Sequence, residues 1–433
     1  NHLNLGELAS VVPYLPPISG ELNADFHIVE QNNQFAAVGT AEAKKFGYQG
    51  VVMGDLGGEL SYQPTEDGNH HAETFVTFNG KEIAEAVGTY FAKDEGSFAG
   101  KVKLKSLPMN MMDAFLEGTQ TKMKGALNGE LAVQGTADKP VVNGSLSFDK
   151  AHIYSNVYGV DLTMDTTTVS IHNSVLELKD FALTAVDGSP LKMSGIINME
   201  RPDAMFLNLD MIAKKFPIID TKRNRESLVY GKVLTNFAAN INGTPDKLNV
   251  RGLLTVLDKT DVTYLLTNSP ISSSGELSDL VTFTDFSDTL VVEKAAAQQN
   301  SSSLNVALTI RLRQGARYKC FLTPNGDSYV DVSGEGNLEL RMPPQGDMRL
   351  TGRLTLNEGK MNYELPVIPL RTFTLAPGSY VDFTGEMMNP TLNITATERV
   401  KSIVTENDHQ RAVTFDAGVK ISRTLEDMGL EFI

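Results

Sequence analysis

The chain has 433 residues, more than one compact core ordinarily organises, which points to two or three domains or to one extended array. Hydrophobic residues at 41% and charged residues at 21% describe a folded protein, and a net charge of −15 argues against nucleic acid and against stable docking on anionic headgroups. The single cysteine, Cys320, rules out an intramolecular disulfide and reads as a small buried hydrophobe, a usage that fits the cytosol or a bacterial periplasm.

No stretch approaches the ~18 apolar residues of a membrane helix. The chain starts at Asn1 without a Met and stops at Leu430-Glu431-Phe432-Ile433, within a strand pattern. Both ends are therefore expected to be cuts in a longer protein, with any anchor lying elsewhere.

Along the chain, the first chemically dense group is His70-His71-Ala72-Glu73, which follows a polar loop over residues 63–69. Neighbouring residues on a strand face opposite ways, so His70 and His71 are not expected to share a metal. Residues 81–93 place Ile83, Val87 and Tyr90 or Phe91 at helical spacing, and residues 107–116 do the same with Met109, Met112, Phe115 and Leu116. Residues 1–125 are thus expected to be β-rich with two short helices that cover a sheet end or edge.

From residue 126 a looser grammar of strand, Gly, short turn with Pro, and strand recurs without a fixed period. Leu127 to Thr136 leads through Pro140 into Val142-Asn143-Gly144, and Gly243-Thr244-Pro245 leads into Leu248-Asn249-Val250. A third helix is expected near residues 211–216. Turns are expected at Asn128-Gly129, Asn143-Gly144, Asp187-Gly188, Asn242-Gly243 and Asn325-Gly326, although a Gly within a strand pattern also marks a bulge or a close approach.

The dominant signal in this half is period-two alternation, which makes one dry and one wet face and is the mark of antiparallel strands. Met205, Leu207, Leu209 and Met211 show it briefly; Leu248, Val250, Leu254 and Val256 show it at length. So do Leu304, Val306, Leu308 and Ile310, then Leu350, Leu354 and Leu356, then Val413, Phe415 and Val419. These apolar residues are the candidate walls of a binding surface.

The chain has no nucleophile elbow, phosphate loop, dinucleotide fingerprint or paired cysteine ligands. Gly334-Glu335-Gly336 sits in a strand context, and Lys222-Arg223-Asn224-Arg225 reads as a solvated loop. Asn143, Asn242, Asn300 and Asn393 open Asn-x-Ser/Thr triplets of the kind an Asn- and Thr-rich chain contains by chance. The expectation is a non-enzymatic protein with no catalytic residue, cofactor or metal.

The C-terminal stretch carries a resemblance. Gly359-Lys360-Met361-Asn362-Tyr363-Glu364-Leu365-Pro366, Leu370-Arg371-Thr372-Phe373-Thr374-Leu375, Pro377 to Gly385 and Asn389-Pro390-Thr391-Leu392-Asn393-Ile394 look like the TamB family in its Bacteroidetes form. Phe216-Pro217-Ile218-Ile219-Asp220 and Leu228-Val229-Tyr230-Gly231-Lys232 extend the likeness upstream. The TamB family is related to AsmA-like proteins and resembles bridge-like lipid-transfer proteins.

The resemblance implies an all-β fold: an elongated, curled antiparallel sheet, or β-taco, whose inner face is apolar. Residues 126–433 would be the TamB-like region that continues the trough begun in 1–125. It also implies a periplasmic location within a protein anchored in the inner membrane, and an outer-membrane barrel partner of the TamA/BamA family.

The function it implies is a hydrophobic conduit for phospholipid acyl chains between the two membranes. Two alternatives stand beside it. One is a chaperone-like scaffold that guides outer-membrane proteins and autotransporters by β-augmentation. The other is a carbohydrate-active β-helix enzyme, disfavoured by the absence of Trp and by only 7% aromatic residues.

Overall fold

The computed structural model describes residues 3–7, 18–31, 34–48, 50–93, 96–116, 121–136, 138–201, 204–223, 229–265, 304–323, 326–344, 346–363, 371–387, 389–406 and 409–433. It divides into two units, residues 1–211 and 212–433. Both are built almost wholly of β-strands.

The first unit contains β1 (Leu3–Asn4), β2 (Ile18–Gln31), β3 (Gln34–Tyr48), β4 (Val51–Pro64), β5 (His70–Phe78), β6 (Lys81–Phe91) and β7 (Ser97–Pro108). A 3-10 helix (Met109–Leu116) precedes β8 (Lys122–Thr136), β9 (Lys139–Ser155), β10 (Val160–Met164), β11 (Val169–His172), β12 (Val175–Ala185) and β13 (Pro190–Asn198). From β1 to β9 each strand pairs antiparallel with the next. Strand β9 then pairs with both β10 and β11, which share β12, and β12 pairs with β13.

Two expected helices are strands instead. Residues 81–91 form β6, because Asn79-Gly80 closes a tight hairpin in which both residues take positive φ (50° and 77°), and Ala84, Ala86 and Gly88 then fall on one face. Residues 211–216 lie inside β14 (Phe206–Thr221), and the division between units falls within that strand. The expected helix near 107–116 is the 3-10 helix, and a single helical turn also spans residues 5–7.

A line of bulges creases the sheet. Lys45, Ser106, Lys150 and Asp180 hold positive φ within strands, where register shifts interrupt the ladders. A bulge bends its strand and increases its twist, so a succession of them curls the sheet. Most are capped from a neighbouring strand. The Lys45 N–H donates to Asp55 Oδ1 (2.8 Å), that of Ser106 to Asn128 Oδ1 (2.8 Å) and that of Asp180 to Ser194 Oγ (3.0 Å). The Asn-Gly pairs at 128, 143 and 242 therefore lie within strands. Asn128 caps a bulge, and Asn143 Oδ1 accepts from the Asn173 N–H of a neighbouring hairpin turn (2.9 Å). Asp187-Gly188 does form a turn, between β12 and β13; Asn325 lies outside the described residues.

The second unit contains the end of β14, then β15 (Val229–Thr244), β16 (Lys247–Val256), β17 (Asp261–Leu265), β18 (Asn305–Leu312), β19 (Arg317–Phe321), β20 (Tyr329–Met342) and β21 (Arg349–Tyr363). It continues with β22 (Arg371–Leu375), β23 (Tyr380–Glu386), β24 (Thr391–Glu406), β25 (His409–Thr424) and β26 (Gly429–Phe432). The same capped bulge recurs here, with the N–H of Lys215 donating to Asn236 Oδ1 (2.8 Å).

Among the described residues from β15 on, β16 runs parallel to β18, and β17 to β19, with the same offset throughout, and the other strand pairs are antiparallel. Uniform alternation gives no hint of this exception. Residues 266–303 separate the paired segments, more than the dozen or so that a parallel crossover needs. Val332, Leu356, Met361, Phe373, Leu375, Leu392, Ile394, Ala396, Val419 and Ile421 make one dry core, and Val233, Val256 and Ala316 a smaller one. Tyr318 packs against both.

Candidate functional site

Strand registers decide which side chains share a face, and in the first unit they align the two faces completely. One row across β2 to β9 reads Phe26, Gly39, Leu60, Thr74, Ala86, Val102, Leu131, Gly144. The next residue along each strand gives Asp25, Thr40, Glu59, Phe75, Glu85, Lys103, Glu130 and Ser145 on the opposite face.

The apolar face is wide. Ile28, Ala37, Tyr62, Ala72, Gly88, Gly100, Val133 and Val142 form a second row beside the first. Among these two rows Gly39 alone is buried: Phe26 is 46% exposed, Ile28 69% and Leu60 38%, while Ala86, Val102 and Leu131 are half-buried. From β3 to β9 the buried apolar side chains instead follow the crease, at Ala43, Phe78, Ile83, Met109 and Ala151, while Met164, Val169, Ile171, Leu183 and Leu191 are buried across β10 to β13. An apolar surface of this breadth left partly in contact with water is the candidate binding face of the unit.

The charged face is held by ion pairs in water. Lys105 lies 2.6 Å from both Glu82 and Glu85, and its hydrogen bonds to them raise its pKa and lower that of Glu85. Lys103 and Glu130 stand opposite each other at 3.3 Å. In the second unit Arg353 is opposite Asp382 and makes two 2.6 Å hydrogen bonds to it, which hold the Asp382 carboxyl below the usual carboxylate range.

The candidate wall residues of the second unit also share a face. Val250 stands opposite Val306, Leu254 opposite Ile310, and Leu308 and Leu350 both face Leu340. Leu248, Val250, Leu304, Val306, Leu308 and Val413 are half-buried, and Phe415 is 46% exposed. Leu254 and Ile310 pack on the smaller core, and Leu354 on the larger. Val256, Leu350, Leu356 and Val419 are buried, three of them within the two cores, so these side chains meet protein. The wider uncovered apolar surface lies in the first unit, where no wall residue was expected. Its floor alternates Ala and Gly with Val and Leu, and small residues make a faint period-two signal although their register is as regular.

Elsewhere the polar residues take structural places. His70 stacks on Tyr62, while His71 lies on the other face beside Thr89 and Glu73. Cys320 is half-buried on β19, and burial pushes its thiol up to about 11, so it is not a thiolate at neutral pH. Of the basic run, Lys222 and Arg223 are described; Asn224 and Arg225 lie outside the described residues, as does Asn300. No helix among the described residues is long and apolar enough to cross a membrane.

The family model for the TamB C-terminal domain matches residues 179–432. No curated protein matches the chain.

Proposed function

Since the chain belongs to the TamB C-terminal domain family, and hence to the translocation and assembly module that serves the outer membrane of the bacterial envelope, we propose that its apolar face shelters phospholipid acyl chains on their way between the inner and outer membranes. The observation that carries this reading is the half-exposed apolar floor from β2 to β9, with its charged reverse side. Each CH₂ taken from water is worth about 0.8 kcal/mol, so a tail on this floor is held as a bilayer would hold it. Because the floor is made of like residues row after row, a tail moves along it with little change in energy. Sheltered diffusion of this kind asks for no catalytic residue and no cofactor. In the cell the chain would work in the periplasm, as part of a protein anchored in the inner membrane, with a barrel of the TamA type as its outer-membrane partner.

Photocrosslinking to radiolabelled phospholipid in cells tests the reading, with the probe at Leu131 and, as its control, at the adjacent Ala132 on the opposite face. Labelling at Leu131 and not at Ala132 is expected. Equal labelling, or none at either position, sinks it. A second reading, β-augmentation of an unfolded outer-membrane protein, draws support from the outer edge of β2, where residues 23–31 have β3 as their strand partner among the described residues. A probe at His27 that captures protein while Leu131 captures no lipid would favour it.

A further inference from the structure

We infer that a rim of rings at the open ends of β3 to β7 is the subsite for the headgroup and glycerol-ester region of a bound phospholipid. The inference rests on the lipid-binding reading above and adds an orientation to it.

Rings are unevenly placed on the apolar face. Most of its floor is Ala, Gly, Val and Leu, whereas Phe35, Tyr62, His70, Tyr90 and Phe98 stand together at the ends of adjacent strands, away from the crease. The Tyr62 hydroxyl and His70 Nδ1 are 2.7 Å apart. The His70 ring lies 5.8 Å from that of Tyr62 at an interplanar angle of 13°, and 5.9 Å from that of Tyr90. Tyr90 is 46% exposed and Phe35 58%.

Rings with a polar tip prefer a boundary between apolar and wet surroundings, which is why they belt membrane proteins at headgroup depth. Two loops lie beyond the rim, residues 65–69 between β4 and β5 and the connection after β6 that carries Lys93. Glu66 and Asp67 are exposed, and Lys93 Nζ donates to the Asp67 carbonyl (2.8 Å). The two exposed carboxylates suit the cationic end of a zwitterionic headgroup.

The depth of the leaf agrees. From His70 at the rim to buried Phe78 at the crease the strand rises about 27 Å, and the hydrocarbon of one leaflet is about 15 Å deep, half of a ~30 Å bilayer core. A lipid with its headgroup at the rim therefore lays its whole tail on the floor, with the tail end towards the crease.

The chain contains no Trp, so a single introduced Trp is a unique reporter. Tyr90→Trp places one at the rim and Leu60→Trp one on the open floor, four residues in from Pro64, the β4 residue opposite His70, and so about 14 Å from the rim. Each full-length variant would be incubated with phosphatidylcholine vesicles that carry a nitroxide either on the headgroup or near the acyl terminus, then separated from the vesicles and its emission read. The expected result is loss of Tyr90→Trp emission with the headgroup label and of Leu60→Trp emission with the acyl label. Equal or reversed quenching overturns the rim assignment while leaving lipid binding intact. No quenching of either reporter by either label overturns both.

Discussion

Among the described residues the Tyr318 hydroxyl is buried without a hydrogen-bond partner, between the two cores of the second unit. Burial also pushes its pKa up to about 12, so it stays neutral at any working pH. An unsatisfied buried hydroxyl costs about 1–3 kcal/mol. Tyr318→Phe keeps the ring and removes that cost; the chain should melt at the same or a higher temperature, which thermal unfolding followed by circular dichroism would check. The Arg353–Asp382 pair makes the opposite kind of statement. Its carboxyl has a lowered pKa in the fold, so its stabilising effect is present above the ordinary carboxylate range and is lost as pH falls through the depressed value. The gap in urea midpoint between the parent and Arg353→Ala should therefore be open at neutral pH and close on acidification.

Strands are placed by their neighbours as much as by their own composition. Residues 81–91 contain Lys, Glu and Ala, all good helix formers, yet the Asn79-Gly80 hairpin and the β5 and β7 ladders on either side make them β6. The long alternations at 248–256, 304–312, 348–356 and 413–421 are strands because bulky residues at every second place leave one choice. Bulge caps were not legible in this way, since an Asn inside a strand looks like a turn until its cross-strand partner is known. Asn128 is the clearest case: Asn128→Ala leaves the Ser106 N–H, held at φ 54°, without its acceptor. The loss should be about 1 kcal/mol, measurable as a lower denaturation midpoint with unchanged strand content.

For the molecule as a whole, the fold class could be read from alternation and turn chemistry, but the location of the uncovered apolar face could not. Residues such as Leu356 and Val419 alternate as strongly as any yet close on protein, while Ala37, Ala72 and Gly88 give little signal and line the open floor. Sequence records which face is apolar; what covers it depends on how strands far apart in the chain are brought together. Leu131→Asp, on the open floor, should therefore reduce phospholipid co-purifying with the chain and leave its melting temperature nearly unchanged. Val419→Asp, in a closed core, should unfold its own unit, because an unpaired charge would be buried there.

The Ser106 bulge has its donor and its acceptor on one pair of neighbouring strands. Ser106 on β7 and Asn128 on β8 set the crease between themselves, as Lys215 and Asn236 do on β14 and β15. A hairpin that carries its own bend is a complete module of growth, and a sheet assembled from such modules lengthens by gene duplication without a new solution for its curvature. We predict that a chain with residues 97–136 copied in tandem folds with its added strands in place; loss of the cooperative melt would show that the bend needs more than its own two strands.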